Sequence, residues 1–193
     1  MSTGIITLAA LFGSYSFSSA PRKPITEYGL DFYRPTRSDR QLDHTNLKFF
    51  FRERELRSLR MNLKLGISAS YSSGSITQLT GSFEDGTLRT ETLNSPAFGI
   101  GPTIEAQLPL SGTEGRRLTM DFSGAVMYYD RNFPAGGRRY NGMLEIGPSL
   151  QMRTSGDSQL SVGLHWMHIS NGSGLTPRNP SYEGIALSLR LRR

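Results

Sequence analysis

Hydrophobic and polar side chains alternate strictly along residues 61–72 of this chain. The apolar positions there are Met61, Leu63, Leu65, Ile67, Ala69 and Tyr71, and small or polar residues stand between them. Alternation with a period of two is the pattern of a β-strand with one apolar face. It recurs in five later segments, at 98–108, 118–128, 144–152, 160–166 and 185–191. Two weaker segments, 28–32 and 47–51, bring the predicted strand count to eight.

The predicted strands are long, and their connections alternate in length. Several strands run for ten to thirteen residues, close to the roughly 9–11 that cross a bilayer when tilted. Long connections are predicted at 35–46, 73–95, 129–140 and 171–182, and short ones at 55–58, 109–116 and 153–158. Such an arrangement is typical of an outer-membrane barrel with both termini in the periplasm. We therefore predict an all-β fold, an eight-stranded antiparallel up-and-down transmembrane β-barrel.

The polar face of such a barrel points inward, where side chains fill the interior. The ionisable residues predicted to point there are Lys64, Glu105, Asp121, Glu145, His165 and Arg190. They are expected to pair, because an unpaired buried charge is costly. Two alternatives stay open. One is a soluble eight-stranded barrel of lipocalin type, whose apolar face turns inward around a ligand; the other is local, an amphipathic helix at 49–54 in place of one weak strand.

Composition is compatible with a single barrel domain. No run of 18 or more apolar residues follows the N-terminal region, which excludes an α-helical span, and a mean hydropathy of −0.37 suits strands that are apolar only at alternate positions. The absence of cysteine excludes disulfides and thiolate chemistry. The apolar run 5–12, followed by Ser18 and Ala20, predicts a signal peptide at 1–20 in preference to a buried N-terminal element. Residues 21–193 then form the barrel.

Three polar residues near the C-terminus lie where a membrane barrel would face lipid. His168 and Ser170 are even-numbered like the apolar residues in 160–166, so they lie on the same face of that strand. Glu183 is odd-numbered like the apolar residues that follow it, and it lies on their face. If the strands flanking the 171–182 loop form a hairpin, Glu183 can lie opposite His168. The backbones of His168 and Ser170 would be roughly 6.5–7 Å apart, which their side chains can bridge. Carboxylate, imidazole and hydroxyl would then form a hydrolytic triad.

A structural interpretation of the trio also stays open. A histidine near a strand end is often an interfacial residue, and Ser-Asn-Gly is common in turns. Placing polar side chains against lipid costs free energy, however, and this favours a functional role for the three residues. In a triad Ser170 would be the nucleophile, and the Asn171 side chain or the backbone amides of Asn171 and Gly172 could stabilise the oxyanion. A site that opens onto the bilayer would meet a lipid substrate.

The segment from His168 to Leu175, with Asn179, Pro180 and Glu183, resembles the C-terminal signature of the lipid A 3-O-deacylases of PagL type, grouped with the acyloxyacyl hydrolases. The resemblance implies an eight-stranded outer-membrane barrel whose Ser-His-Glu triad lies on the outer surface. It also implies removal of the ester-linked acyl chain from the 3-position of lipid A, without a metal.

By the same resemblance, Ser170 is the nucleophile, His168 the base, Glu183 its orienting acid and Asn171 a contributor to the oxyanion hole. We expect Trp166 and Leu164 to line an external groove for the acyl chain. No cofactor is expected. No metal site is predicted either, because the three histidines show no ligand spacing.

The predicted partner is lipid A within lipopolysaccharide of the Gram-negative outer membrane. A net charge of +6 favours contact with its phosphates. Basic residues of the predicted outer loops are Arg34, Arg37, Arg40, Arg131, Arg138, Arg139 and Arg178. No nucleic acid is expected, because the basic residues are dispersed and accompany no recognised binding module. The assembly state is left open and includes a homodimer.

Two other functions are compatible with the same sequence. The first is a different outer-membrane lipid esterase, such as a phospholipase, that uses the same triad. The second is a non-enzymatic structural or adhesion barrel of the OmpX type. Replacing Ser170 separates an enzyme from a structural protein, and the identity of the released fatty acid separates the two esterases.

Overall fold

The computed structural model describes residues 23–80, 86–113, 115–154, 156, 158–170 and 180–193. Nearly all of these residues are in strands. The strands are β1 (Lys23–Pro35), β2 (Arg40–Leu56), β3 (Met61–Thr80), β4 (Arg89–Asn94), β5 (Ala97–Thr113), β6 (Arg116–Phe133), β7 (Arg138–Arg153), β8 (Gln159–Ser170) and β9 (Tyr182–Arg192). A single turn of 3-10 helix, Arg57–Leu59, joins β2 to β3. The predicted signal peptide at 1–20 lies outside the described residues.

Antiparallel pairing closes this sheet into a barrel. The strands neighbour one another in the order β2-β1-β9-β8-β7-β6-β5-β3, and β3 pairs back with β2. Strand β4 pairs with the last residues of β3, Ser75–Thr80, beside the segment of β3 that pairs with β5. Only Ser95 and Pro96 separate β4 from β5, and proline has no N–H to offer a ladder. The two are therefore one interrupted wall strand, and the predicted eight-stranded antiparallel barrel is confirmed.

The two ends of the barrel differ. We call one the turn end; it carries the connections at 57–60, 114–115 and 154–158 together with Lys23 and Arg193. The opposite loop end carries the connections at 36–39, 81–88, 134–137 and 171–181.

The predictions of long connections at 35–46, 73–95 and 129–140 were wrong. Strands β1 and β2 leave only 36–39 between them, and β6 and β7 leave only 134–137. Most of 73–95 belongs to β3 and β4. The proposed helix at 49–54 is also absent from the described chain, because β2 runs through it as strand.

The outer wall is apolar and the interior polar along the middle of the strands, as the alternation predicts. Ile67, Val126 and Leu144 are 45, 63 and 61% exposed on the outside. All six ionisable residues predicted to point inward are at most 4% exposed. In the described part of the chain, no helix is long and apolar enough to span a bilayer.

The buried charges form one continuous chain across the interior. Its members alternate in sign in the order Glu27, Lys64, Glu105, Arg190, Asp31, Lys48 and Glu145. The contact of Arg190 with Asp31 is 2.7 Å, and Lys64 contacts Glu27 at 2.6 Å. Beside this chain, His165 lies 3.7 Å from Asp121 and 3.0 Å from the hydroxyl of Ser149. The expected pairing of inward charges is confirmed.

The inward side chains change from polar to apolar toward the loop end. A cluster of buried residues fills the barrel there; its larger members are Tyr33, Leu42, Ile76, Met127, Tyr129, Phe133, Met143, Met167, Ile169 and Tyr182. The outward neighbours include Asp43, whose side chain is 58% exposed. This reversal explains the missed strand ends, since a strand that is polar outside and apolar inside no longer matches the pattern of the membrane-spanning part.

Candidate active site

Strands β8 and β9 carry the three residues predicted to act together, close to the loop end of the barrel. His168 and Ser170 stand at the end of β8, and Glu183 is the second residue of β9. Their neighbours Met167 and Ile169 are 0% exposed and fill the interior. Since side chains alternate along a strand, His168, Ser170 and Glu183 project from the outer wall.

His168 and Glu183 are direct partners in the ladder between β8 and β9. Nδ1 of His168 lies 3.2 Å from Oε1 of Glu183. The two side chains are 28% and 35% exposed, so the contact is half-buried on the barrel surface. A carboxylate beside Nδ1 favours the tautomer with the proton on Nδ1, which leaves Nε2 with a lone pair. A histidine oriented in this way can accept a proton at Nε2.

Ser170 follows His168 by two residues on the same face of β8. The rise of a strand puts their backbones roughly 6.5–7 Å apart. Among the described residues, no hydrogen bond joins the Ser170 hydroxyl to His168, and such bonds are often loose before substrate binds. The predicted oxyanion-hole residues Asn171 and Gly172 lie outside the described residues.

An aromatic ring supports the imidazole from the turn-end side. The ring of Trp166 stacks on that of His168 with centroids 5.9 Å apart and planes inclined by 22°. Trp166 and Leu164 are 40% and 59% exposed on the same outward face of β8. The structure thus aligns both predicted groove residues with the imidazole along one strand.

Glycine borders Ser170 on its other side. Gly142 of β7 is the ladder partner of Ser170 and faces outward between the buried Asn141 and Met143. A Cβ atom at this position would meet only the carbonyl oxygen of Ser170, at 4.0 Å. Because Gly142 has no side chain, the outer surface of the barrel beside the Ser170 hydroxyl is uncovered.

The turn between β1 and β2 holds Glu183 in place. The backbone N–H and the hydroxyl of Thr36 both donate to the carbonyl oxygen of Glu183, at 3.0 and 3.3 Å. Nε of Arg40 donates to the carbonyl of Ser181 at 3.1 Å, and its terminal nitrogen donates to the carbonyl of Thr77 at 3.2 Å. These bonds fix the start of β9 from two sides.

The same region is anchored from inside the barrel by Tyr182, whose hydroxyl donates to the carbonyl of Leu42 at 3.1 Å. Sequence reasoning missed Thr36, Arg40 and Tyr182 as positioning residues. No local signal could have identified them, because Thr36 and Glu183 are 147 residues apart in the chain.

A cation also lies near the carboxylate. Arg37 in the β1–β2 turn binds Asp39 through two hydrogen bonds of 3.0 and 2.9 Å. These bonds and the charge of Asp39 raise the pKa of Arg37, and the charge of Glu183 adds a smaller contribution in the same direction. The Glu183 carboxylate therefore lies within electrostatic reach of a guanidinium group in the β1–β2 turn.

The other two histidines lie inside the barrel, away from His168. His44 is 1% exposed within the apolar cluster, and His165 is 2% exposed beside the charge chain. Among the described residues no group of three or more histidine, aspartate or glutamate side chains could hold a metal ion. The groups gathered on the outer wall are those of acid–base and nucleophilic chemistry.

Comparisons with known proteins point to one family. The family model described as lipid A 3-O-deacylase (PagL) matches residues 58–192. The crystal structure of the outer membrane enzyme PagL shares the fold, with a TM-score of 0.52 at 14% identity, over 85% of this chain and 97% of that one.

Two further solved structures show a weaker likeness. The Yersinia pestis outer membrane protein Ail gives a TM-score of 0.35 at 12% identity, over 89% of this chain and 100% of that one. The beta domain of the Bordetella autotransporter Brka gives 0.36 at 10% identity, over 88% and 99%. No curated protein sequence matches the chain significantly.

Proposed function

The chain belongs to the lipid A 3-O-deacylase (PagL) family of outer-membrane barrel enzymes, and from this premise we propose that it hydrolyses the 3-O-acyl ester of lipid A with Ser170, His168 and Glu183. The observation that carries the proposal is the contact of His168 with Glu183 at 3.2 Å on the outer wall. Ionisable side chains on a lipid-facing wall are costly and call for a functional explanation.

The proposed reaction begins with proton transfer. Glu183 accepts a hydrogen bond from Nδ1–H of His168, so Nε2 is the basic nitrogen. His168 takes the proton of the Ser170 hydroxyl as Oγ attacks the ester carbonyl carbon. When the tetrahedral intermediate collapses, the bond between the carbonyl carbon and the sugar oxygen breaks, and His168 returns the proton to that oxygen.

The second half of the reaction releases the fatty acid. A water molecule gives a proton to His168 and attacks the acyl ester on Ser170. Collapse of the second intermediate breaks the bond to Oγ, and the serine regains its proton from His168. In both halves the negative oxygen needs hydrogen-bond donors, a role that we assign to Asn171 and the amide of Gly172.

The substrate reaches this site from within the membrane. Trp166 and Leu164 extend from His168 toward the middle of the bilayer and offer apolar contact to an acyl chain. The missing side chain of Gly142 leaves space for substrate beside Ser170. The sugar and its phosphates would then lie above the site, near Arg37 and the loop end of the barrel.

Mass spectrometry of lipid A tests the proposal. Gram-negative cells would express the wild type, Ser170→Ala or Ser173→Ala, with membrane levels and barrel folding checked for each. We expect loss of one hydroxyacyl chain with the wild type and Ser173→Ala, and intact lipid A with Ser170→Ala. Intact lipid A despite a folded, inserted wild type would overturn the proposal; altered phospholipids in the same cells would identify a phospholipase instead.

A further inference from the structure

Most of the excess positive charge of the chain lies at the turn end, far from the candidate active site. The segments 52–60, 113–117, 153–158 and 192–193 together hold nine arginines and four carboxylates. The whole chain has a net charge of +6. On β8, His168 lies nine positions after Gln159 at the turn end, which is roughly 30 Å along the strand. This charge therefore has no part in the chemistry proposed for Ser170.

Four of these arginines line a recess in the mouth of the barrel. It has a volume of about 230 Å³, and its principal lining residues are Arg116, Arg117, Arg153, Arg192, Gln151 and Gln159. The glutamines are hydrogen-bonded to each other at 3.1 Å, and Gln151 is only 7% exposed. The volume is below the roughly 300–1,000 Å³ of sites for drug-sized ligands, so the recess suits a small group.

Hydrogen bonds fix the backbone around this recess, but most of its guanidinium groups have donors available for a ligand. The N–H of Arg153, the last residue of β7, donates to the carbonyl of Gly115 at 3.0 Å, which joins β7 to the turn after β5. Arg192 is engaged by Glu53 through bonds of 2.9 and 2.6 Å. Within the part of the chain that the structure describes, the guanidinium groups of Arg116, Arg117 and Arg153 have no hydrogen-bond or ion-pair partner.

Like charges gathered in one recess repel one another unless an anion lies between them. When all four carboxylates of these segments are counted, Glu53, Glu55, Glu114 and Asp157, an excess of five arginines remains. Each guanidinium group presents N–H donors in a plane. Several guanidinium groups around one point can bind the several oxygens of a phosphate, whereas a single carboxylate has only two oxygens to offer them.

We propose that the turn-end mouth is an anion-binding site for a phosphate-class group, bound by Arg117 and Arg153 with Arg116 at its edge. Two sources can supply such a group: the headgroup of an anionic phospholipid in the leaflet at the turn end, and soluble phosphate. Occupation of the site would neutralise the arginines and tie the turns after β5 and β7 together.

Binding to the purified, folded barrel in zwitterionic detergent tests this site. The probes are dihexanoyl phosphatidylglycerol, dihexanoyl phosphatidylcholine and inorganic phosphate, each titrated and followed by native mass spectrometry and calorimetry. The test variant is Arg117→Gln with Arg153→Gln. The matched control is Arg131→Gln with Arg138→Gln, which removes the same charge at the loop end.

We expect the wild type and the control to bind an anionic probe and the test variant to bind it at least tenfold more weakly, with affinity falling as salt is added. Binding of phosphatidylglycerol alone would identify a lipid headgroup site, and binding of inorganic phosphate as well would identify a general phosphate site. No binding by the folded wild type, or equal binding by the test variant, would overturn the proposal. Deacylase activity of the Arg117→Gln with Arg153→Gln variant should stay at the wild-type level.

Discussion

His168 on β8 and Glu183 on β9 face each other as ladder partners, and their side chains meet at 3.2 Å on the outer wall of the barrel. A two-residue shift of either strand would separate them by about 7 Å. The register of this hairpin therefore creates the contact on which the proposed general base depends. Two hydrogen bonds from Thr36, in the turn between β1 and β2, reinforce this register by binding the carbonyl of Glu183.

Removing the charge of Glu183 should abolish most of the activity. Glu183→Gln keeps the size of the side chain but cannot stabilise the imidazolium form of His168, so we expect kcat to fall on the order of 10³-fold or more. Initial rates of fatty acid release in mixed micelles measure this. Glu91→Gln, on the exposed strand β4, is the matched control and should behave as wild type. A kcat within twofold of the wild type for Glu183→Gln would exclude the assigned role.

Stacking on Trp166 should tune the position of the imidazole. Trp166→Leu removes the aromatic face at 5.9 Å from His168. Aromatic contacts contribute about 0.5–1.5 kcal/mol beyond burial, so kcat should fall roughly 2–10-fold. Trp166→Phe keeps a ring and should recover most of the rate. Equal losses for both variants would indicate that the tryptophan acts through acyl-chain contact instead, which a rise in KM would also reveal.

A side chain at Gly142 should obstruct substrate without harming the fold. Gly142→Leu would point outward beside Ser170, where a Cβ has free space. We expect at least a tenfold loss of kcat/KM, and a smaller loss for Gly142→Ala. Gly124→Leu is the control, since Gly124 faces outward one strand further away, opposite Leu144. Unfolding midpoints close to wild type for all three would show that access, not stability, is affected; full activity of Gly142→Leu would contradict the prediction.

Arg40 should act on catalysis through the backbone ahead of Glu183. Arg40→Met keeps the length of the side chain but removes its bonds to the carbonyls of Ser181 and Thr77. We expect a severalfold fall in kcat with KM little changed, because the carboxylate is displaced while the acyl groove is intact. Arg40→Lys, which restores a donor, should recover part of the rate. A change confined to KM would instead indicate direct substrate contact.

Breaking the interior charge chain should destabilise the barrel. Asp31→Asn leaves Lys48 and Arg190 without their shared carboxylate, and loss of one partner from a buried pair costs about 3–5 kcal/mol. Asp43→Asn is the control: it removes the exposed pair with Arg34, which is expected to contribute less than about 1 kcal/mol. Urea unfolding followed by the fluorescence of Trp166, the single tryptophan, compares them. Equal midpoints would contradict the proposed importance of the chain.

Much of the membrane-spanning wall could be predicted because its signal is local. A period of two assigns each side chain to one face, so residues as far apart as Lys64 and Arg190 were placed correctly inside the barrel. The hairpin of β8 and β9 is also local. Because the two residues are close in the chain and lie on the apolar faces of their strands, Glu183 could be predicted opposite His168. Beyond the membrane the outward face becomes polar, so residues around Leu42, Ile76 and Phe133 were mistaken for loops although they are strand.

In the membrane-spanning part of the barrel, alternation along each strand is enough to assign a side chain to the outer wall or the interior, because it depends only on the pleat of the strand. Which of those side chains meet depends instead on how the strands are paired around the barrel. Pairing of β1 with β9 brings Arg190 to Asp31 and Thr36 to Glu183, and closure of the barrel brings Lys48 of β2 to Glu145 of β7. These partners lie on strands distant in the chain, and their contacts depend on the register of every ladder between them, which no local pattern encodes.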